Sequence, residues 1–212
     1  MRLYIRGDYS KNILFDYRYL AEKMWFKERN GEPLDISYSG YLRIFNDNPD
    51  ITLKLNKRAN DDRWNQVDVP VNEEVIISLM IESIDLDFEE HYVSDYRERG
   101  DYLRIITTHQ DLLTVDKRAA YIMAIEVATA IDGQISTDDK KTWLTVDEFK
   151  AEHSGILSLT YEEATDISLE EILTMEAVFE PLQDELDEAR EEYIKIHGER
   201  VWEDEDEETF GI

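Results

Sequence analysis

The segment DKRAAYIMAIEVATAI, residues 116–131, decides how the rest of the chain is arranged. Its middle is apolar on nearly every side of a helix, and a helix of that kind is buried on most of its faces. The pattern therefore predicts a helix at the centre of a domain, with Asp116 as its N-terminal cap and its end at Asp132-Gly133. Glu126 is the one acidic residue beyond the cap. A buried catalytic carboxylate is one interpretation of Glu126, but we expect it at the edge of the buried face, reaching solvent or an arginine.

Short apolar or alternating runs before this helix predict a small antiparallel sheet. The predicted strands are residues 2–6, 41–45, 51–55, 64–69 and 102–107, the second and third forming a hairpin across 46–50. Residues 16–29 predict a helix on the sheet, stopped by Gly31. Residues 72–84 fit either a capped helix or a buried strand, and the spacing of their apolar residues favours the helix. The aromatic residues expected in the core are Tyr38, Tyr41, Phe45 and Trp64.

These elements predict an α+β fold: a small antiparallel sheet with helices, a central buried helix followed by a hairpin, and a C-terminal acidic helix. Two domains are expected. Residues 1–110 form a mixed α+β N-terminal domain, near-neutral to mildly acidic. Residues 111–212 form a mainly helical acidic domain with one β-hairpin at 134–146 and an acidic tail at 203–208.

Composition narrows the class of protein. The chain has 212 residues, of which 42% are hydrophobic, and this is typical of a globular protein. It contains no cysteine, which excludes disulfides and thiolate metal sites. No apolar run reaches the roughly 18 residues of a membrane span. The first residues lack the pattern of a signal peptide, so we expect a cytoplasmic protein, in the host cytoplasm if a phage encodes it.

The net charge of −27 is concentrated towards the end of the chain. Residues 1–80 contain 13 acidic and 12 basic residues, residues 81–160 contain 17 and 8, and residues 161–212 contain 20 and 3. A field of this sign repels nucleic acid and anionic membranes and attracts basic protein surfaces. We therefore expect a basic protein partner, with no direct binding of nucleic acid or membrane.

After the central helix, the sequence QISTDDKKTWLTV, residues 134–146, predicts a β-hairpin. Its residues Ser136, Asp138, Thr142 and Trp143 resemble the Asp-box hairpin of sialidases and other propeller proteins, whose pattern is Ser-x-Asp-x-Gly-x-Thr-Trp. Lys140 stands where that family has glycine. The resemblance implies a structural turn in which the Asp accepts backbone hydrogen bonds and the Trp packs beneath it. A propeller repeats the box around a ring, so a single copy implies a hairpin and no glycosidase activity.

The stretch 168–197 carries the most regular apolar pattern of the chain. Its apolar residues recur at alternating steps of three and four, which makes one seam along a helix. They are Ile172, Met175, Phe179, Leu182, Leu186, Ala189, Tyr193 and Ile196. The other faces and the tail present the carboxylates that we expect to bind a partner. These are Glu176, Glu180, Asp184, Glu185, Asp187, Glu188, Glu191, Glu192, Glu203, Asp204, Glu205 and Asp206.

Three interpretations of this acidic helix are open. In the first, the seam packs on the protein's own core and the carboxylates are a solvated face. In the second, the seam pairs with another copy in a homodimer, although Pro181 interrupts the heptads and favours a kink or a fresh start. In the third, the carboxylates mimic a nucleic-acid backbone. Acids one helical turn apart are separated by roughly 5–6 Å, close to the roughly 6–7 Å between phosphates of one strand.

A search for catalytic and metal-binding motifs gives no candidates. The histidines, His91, His109, His153 and His197, are far apart and lack the spacing of a metal site. Glycine-rich phosphate loops and the Gly-x-Ser-x-Gly nucleophile motif are missing. We therefore expect no catalytic residue, metal or cofactor. The tetrapeptide Arg-Gly-Asp-Tyr occurs at residues 6–9 and 99–102, where glycine-containing turns beside strands are a better interpretation than cell adhesion.

In size, lack of cysteine and charge, the chain resembles the acidic proteins that phages and mobile elements use against host nucleases, the anti-CRISPR and anti-restriction proteins. The resemblance implies a non-enzymatic inhibitor that occupies the basic nucleic-acid-binding channel of a defence nuclease. One alternative is an intracellular immunity protein or antitoxin that binds a basic toxin. Another is an enzyme whose site carries no recognisable motif.

Overall fold

A computed structural model of the chain describes residues 1–8, 11, 17–40, 51–67, 77–82, 102–109, 111–138, 140–175 and 195. The chain divides into two compact units, residues 1–180 and residues 181–212. All the described residues except Lys195 belong to the first unit. The expected domain boundary between residues 110 and 111 therefore lies inside this unit.

Antiparallel strands form the framework of the first unit. The described strands are β1 (Arg2–Arg6), β2 (Glu28–Arg29), β3 (Glu32–Pro33), β4 (Ile36–Gly40), β5 (Ile51–Leu55), β6 (Ile77–Glu82), β7 (Tyr102–Thr107), β8 (Gln134–Ser136) and β9 (Leu144–Thr145). β2 and β3 pair as a separate hairpin. The other seven form one sheet in the order β4-β5-β6-β7-β1-β8-β9. Because β1 lies between β7 and β8, the sheet joins segments from both sides of residue 110.

Helices connect the strands and cover the sheet. The described helices are α1 (Tyr17–Trp25), α2 (Lys57–Asn60), a 3-10 helix (Asp62–Gln66), α3 (Thr114–Ala130), α4 (Val146–Glu152), α5 (Ser154–Leu157) and α6 (Tyr161–Glu171). Both α4 and α6 begin with a threonine whose hydroxyl and a glutamate three residues later cap each other's backbone amides. None of the described helices combines the length and the apolarity needed to cross a membrane. The α+β fold class is confirmed.

The central buried helix predicted from residues 116–131 is α3. Its most enclosed side chains, including Ala119, Met123 and Val127, are fully buried, and the helix packs against α1, α6 and β1. Glu126 lies at the edge of the buried face, as expected, and pairs with Lys23 at 2.7 Å; its side chain is 24% exposed.

The helix predicted over residues 16–29 is too long. α1 ends at Trp25, because Phe26 takes a φ of 92°, which no helical residue adopts. The chain then turns back through Asn30 and Gly31, both with positive φ, and forms the β2–β3 hairpin. Asn30 and Gly31 together, and not Gly31 alone, form the turn between these two strands.

The predicted pairing of residues 41–45 with 51–55 is wrong. β5 pairs with β4 on one side, with Gly40 opposite Ile51, and with β6 on the other. Residues 41–45 themselves, including Tyr41 and Phe45, lie outside the described ranges. Tyr38 belongs to β4 at the edge of the sheet and is 52% exposed, so its expected place in the core is also wrong.

The strand predicted over residues 64–69 is wrong where the structure describes it. Trp64 lies in the 3-10 helix and is buried, as expected of a core aromatic residue. The Asp61 side chain accepts a hydrogen bond from Arg63 N at 3.0 Å and starts this helix. The local hydrogen bond to Asp61 therefore favours a 3-10 helix here, although the alternating pattern predicts a strand.

The helix favoured for residues 72–84 is wrong for residues 77–82, which form β6. Periodicity does not separate a short apolar strand from a buried helix. Pairing on both sides decides in favour of the strand, because Leu79 lies opposite Ile51 of β5 and Ile105 of β7. The proposed cap at Asn72 lies outside the described ranges.

The end of α3 lies so close to β1 that two glycines are required. A Cβ on Gly133 would lie 2.5 Å from the carbonyl oxygen of Arg6, and a Cβ on Gly7 would lie 2.6 Å from that of Ile131. Asp8 N donates to the same Ile131 carbonyl at 2.7 Å. The first Arg-Gly-Asp sequence is thus part of a packed junction, as the structural interpretation expects; most of the second lies outside the described part of the chain.

We expect Gly133→Ala to lower the free energy of unfolding by about 1–3 kcal/mol, because the new methyl group overlaps backbone atoms that cannot turn away. Gly155→Ala is the matched control. A Cβ on Gly155, within α5, meets nothing within 4 Å, so that variant is expected to gain about 0.4–1 kcal/mol. Urea unfolding of the two variants measures both changes, and equal unfolding midpoints would contradict the close approach.

Candidate functional site

The twelve carboxylates expected to bind a partner all lie outside the described residues. They are Glu176, Glu180, Asp184, Glu185, Asp187, Glu188, Glu191, Glu192, Glu203, Asp204, Glu205 and Asp206. The sequence gives the charge of the segment that contains them. Residues 176–212 contain 15 acidic and 3 basic residues, a net charge of −12 out of the total −27.

The first two residues of the predicted seam contact the core. Ile172 is 2% exposed and belongs to the main apolar cluster, and Met175 packs against that cluster. The rest of the seam, from Phe179 onwards, lies outside the described ranges. Within the predicted helix 168–197, residues up to Glu171 belong to the end of α6, and a turn follows through residues 172–174. The beginning of the seam thus packs on the protein's own core.

The end of α6 is joined to the start of α3 by hydrogen bonds. The Glu171 carboxylate accepts from Thr114 N and Thr114 Oγ1, each at 2.7 Å. Ser168 Oγ accepts from Val115 N at 2.9 Å. These side chains satisfy amides that the first turn of any helix leaves without intrahelical partners, and a negative charge there is favourable. The expected cap by Asp116 is wrong, because a neighbouring helix caps α3.

Asp116 instead lies inside the protein beside Lys57. Its Oδ2 is 2.7 Å from Lys57 Nζ, and neither side chain has any exposed surface. Asp116 Oδ1 accepts from Trp25 Nε1 at 3.4 Å. Burial raises the pKa of Asp116, and the positive charge of Lys57 opposes this rise. Sequence reasoning missed the pair because Lys57 lies in a polar run and Asp116 precedes an apolar helix, where a capping residue is the usual interpretation.

Carboxylates on α6 also pair with arginines from the first half of the chain. Arg29 and Arg63 both contact Asp61 and Glu162, and Arg63 also contacts Asp166. Partial burial raises the pKa of the Asp61 carboxyl, but the hydrogen bonds from Arg63 outweigh burial, and the pKa is lowered. The network attaches α6 to the β2–β3 hairpin and the 3-10 helix, so these acids are structural.

The Asp-box residues form one turn between β8 and β9. Asp138 Oδ1 accepts from Ser136 Oγ at 2.9 Å and from Thr142 N at 2.8 Å. These bonds, chiefly those from Thr142, lower the pKa of Asp138 to about 2. Lys140, in the position of the family's glycine, takes a φ of 68°, the left-handed conformation that glycine favours. The half-buried Trp143 ring lies 4.3 Å from the Arg6 guanidinium. The turn's hydrogen bonds hold the hairpin together.

A groove of about 430 Å³ lies between α1 and the β3–β4 segment. Its volume is within the range of ligand pockets, about 300–1,000 Å³. Its walls combine acidic, basic and apolar side chains. They are formed by Arg18, Ala21, Glu22, Lys27, Pro33, Leu34, Asp35, Ile36 and Tyr38. The sequence did not reveal it, because its lining residues come from α1 and from the β3–β4 segment, which only the fold brings together.

The described histidines are packed among other side chains. The His153 ring lies 4.4 Å from the rings of both Tyr121 and Phe149, and burial lowers its pKa. Burial, with the positive charge of Lys57, also lowers the pKa of His109. His91 and His197 lie outside the described part of the chain. Among the residues that the structure describes, no group of three or more histidine, aspartate or glutamate side chains could hold a metal ion.

Several charged contacts among the described residues join elements of the first unit. The pairs of Lys57 with Asp116 and of Lys23 with Glu126 join helices, and Glu171 joins α6 to α3. No protein-family model matches the chain, and neither a curated protein nor a solved structure shows significant similarity to it.

Proposed function

We propose that the chain is a non-enzymatic inhibitor whose acidic C-terminal segment, residues 176–208, occupies the basic nucleic-acid-binding channel of a host defence nuclease. In this it would act like the anti-CRISPR and anti-restriction proteins of phages, in the cytoplasm of the host. The observation that carries the proposal is the density of negative charge at the end of the chain. Residues 176–212 contain 15 acidic and 3 basic residues, a net charge of −12, whereas the 175 residues before them contain 35 acidic and 20 basic residues, a net charge of −15.

The pairing of charges supports a role for this segment outside the protein's own fold. On α6, Glu162 and Asp166 pair with arginines. Residues 176–212 contain only Arg190, Lys195 and Arg200 as bases. Three bases neutralise at most three of the 15 carboxylates by pairing within the segment. The excess repels itself, and a surface rich in lysine and arginine relieves that repulsion.

The acidic segment begins shortly after α6, whose end is held on the core. Glu171 bonds to the first turn of α3, and Ile172 is buried in the core. The acidic residues therefore follow directly on a fixed element.

Binding to a basic host protein is expected to depend steeply on salt. Neutralisation of about four cationic sites predicts an affinity that falls about 100-fold between 50 and 200 mM salt, by analogy with the release of counterions from DNA. The measurement is a pull-down from host lysate at low salt, eluted with a salt gradient, followed by titration of the recovered protein. Double-stranded DNA should compete for it. An affinity that is equal at both salt concentrations, or unaffected by DNA, would contradict the proposal.

A further inference from the structure

β4 is the outermost strand at one end of the described sheet, and its sequence does not protect its outer edge. Alternate N–H and C=O groups of an edge strand lack a partner, so natural edge strands are usually very short or carry lysine or proline. β9, at the other end of the sheet, has only two residues. β4 has five, Ile-Ser-Tyr-Ser-Gly, with neither a charge nor a proline, although 34% of the chain is charged. Such an edge is suited to pairing with a further strand.

The groove of about 430 Å³ between α1 and the β3–β4 segment lies beside this strand. Leu34, Ile36 and Tyr38 form one wall, at the spacing of two residues that places side chains on one face of an extended chain. One turn of α1, from Arg18 to Glu22, forms the other. Tyr38 is 52% exposed, and Leu34 and Ile36 are only partly buried against the core. A strand added to β4 would therefore direct every second side chain towards this groove.

Both walls of the groove are fixed by contacts within the fold. The Asp35 main chain bonds the Asn60 side chain twice, through N to Oδ1 at 2.6 Å and through O from Nδ2 at 2.8 Å. Asn56 Nδ2 donates to the Asp35 carboxylate at 2.8 Å. On the helix wall, Leu20 and Met24 are fully buried in the core. The groove is thus formed by the chain itself, without a ligand.

The groove also offers one available charge of each sign. Among the residues that the structure describes, neither the Glu22 carboxylate nor the Lys27 ammonium has an ion-pair partner. A complementary ligand therefore places a basic side chain near Glu22 and an acidic group near Lys27. The net charge of −27 favours the approach of basic proteins and repels a second copy of this chain.

We propose that β4 and the groove beside it bind an extended segment of a basic partner protein as an additional strand. The main chain of the segment pairs with the outer edge of β4, and its alternate side chains enter the groove. Apolar side chains contact Ile36 and Tyr38, and a lysine or arginine pairs with Glu22. The site uses no residue of the acidic segment 176–208. It therefore goes beyond the proposed inhibitor function and is tested separately from it.

Selection from a phage-displayed library of seven-residue peptides on the full-length chain tests the proposal. Threonine is fixed at the second, fourth and sixth positions and the other four positions vary, so that all variable side chains of an extended peptide lie on one face. We expect apolar residues at the two middle variable positions and a lysine or arginine at one of the outer two. Glu22→Gln should remove the preference for the basic residue. Enrichment of no such pattern would overturn the proposal.

N-methylated versions of an enriched peptide test the strand pairing itself. The amides of a strand that face its partner alternate with those that face away. Methylation of the pairing set should weaken binding by about tenfold or more, whereas methylation of the other set should change it little. Equal effects of the two sets would show that the peptide does not bind as a strand, and the proposal would fail.

Two tyrosines of almost equal exposure provide the matched protein variants. Tyr38 and Tyr19 are 52% and 53% exposed, but of the two only Tyr38 lines the groove. Tyr38→Ser should weaken peptide binding about tenfold, and Tyr19→Ser should leave it unchanged. Equal binding by both variants contradicts the site. Sedimentation velocity of the free protein should show a monomer; a dimer that Tyr38→Ser dissociates would assign the β4 edge to a second copy and overturn the proposal.

Discussion

Replacing Asp116 with leucine is expected to lower the free energy of unfolding by about 3–5 kcal/mol, because it leaves the Lys57 ammonium buried without its counter-charge. The two groups are 2.7 Å apart and neither side chain is exposed to solvent. Trp25 Nε1 loses its acceptor in the same variant. Urea unfolding followed by tryptophan fluorescence measures the loss.

The partner variant and the double variant make this test specific. Lys57→Met is expected to cost about as much as Asp116→Leu, since it leaves the carboxylate unpaired. The double variant, Lys57→Met with Asp116→Leu, removes both charges and should recover most of the loss, because neither desolvation penalty remains. If the two single losses simply add in the double variant, the ion pair is not what holds these residues.

Lys23 and Glu126 provide the control pair. They are separated by the same 2.7 Å and also join two helices, but their side chains are 36% and 24% exposed. Glu126→Gln is therefore expected to change the free energy of unfolding by less than about 1 kcal/mol. A loss as large as that of Asp116→Leu would show that burial does not explain the difference between the pairs.

Neutralising four carboxylates of the acidic segment is expected to weaken binding of the recovered partner about 100-fold. The variant combines Asp184→Asn, Glu188→Gln, Glu191→Gln and Glu192→Gln. Four exposed ion pairs at roughly 0.5–1 kcal/mol each amount to about 2–4 kcal/mol, and each 1.4 kcal/mol is tenfold in affinity. Titration at constant salt measures the change, and the unfolding midpoint should stay unchanged or rise as self-repulsion decreases.

A matched control separates a specific surface from a general attraction by net charge. The same number of carboxylates is neutralised on the first unit, at exposed positions of the described part. They are Asp111→Asn, Asp147→Asn, Glu152→Gln and Glu170→Gln. This variant should bind within a few-fold of the wild type. Equal weakening by both variants would assign the binding to overall charge, and unchanged binding by the first variant would remove the segment from the proposed function.

Much of the fold follows from patterns that are local in sequence. The alternation of β1 and the apolar run of β7 predicted those strands, and the apolar surface of α3 predicted its central place. The Asp-box residues predicted the hairpin of β8 and β9, because the turn is closed by hydrogen bonds within seven positions of the chain, from Ser136 to Thr142. Such interactions need no information from distant residues.

One error, the strand predicted over residues 64–69, is decided by a local hydrogen bond from Arg63 N to Asp61. Two others occur where distant residues decide. β6 is a strand because β5 and β7 pair with it, and α1 stops at Trp25, where the Arg118 guanidinium bonds the Met24 carbonyl and covers Phe26. A strand or helix end that is determined by residues far away in the sequence has no signature in its own local sequence.

By itself, the sequence determined the fold class, the central helix and the strong separation of charge, because composition and periodicity are properties of the chain alone. Only the tertiary structure decided what individual charges do. Asp116, which the sequence presents as a helix cap, is the buried partner of Lys57, and Glu171 from α6 takes over the cap of α3. Whether a carboxylate pairs, caps or stays available for a partner depends on which side chains the fold brings near it. That information arises only from packing.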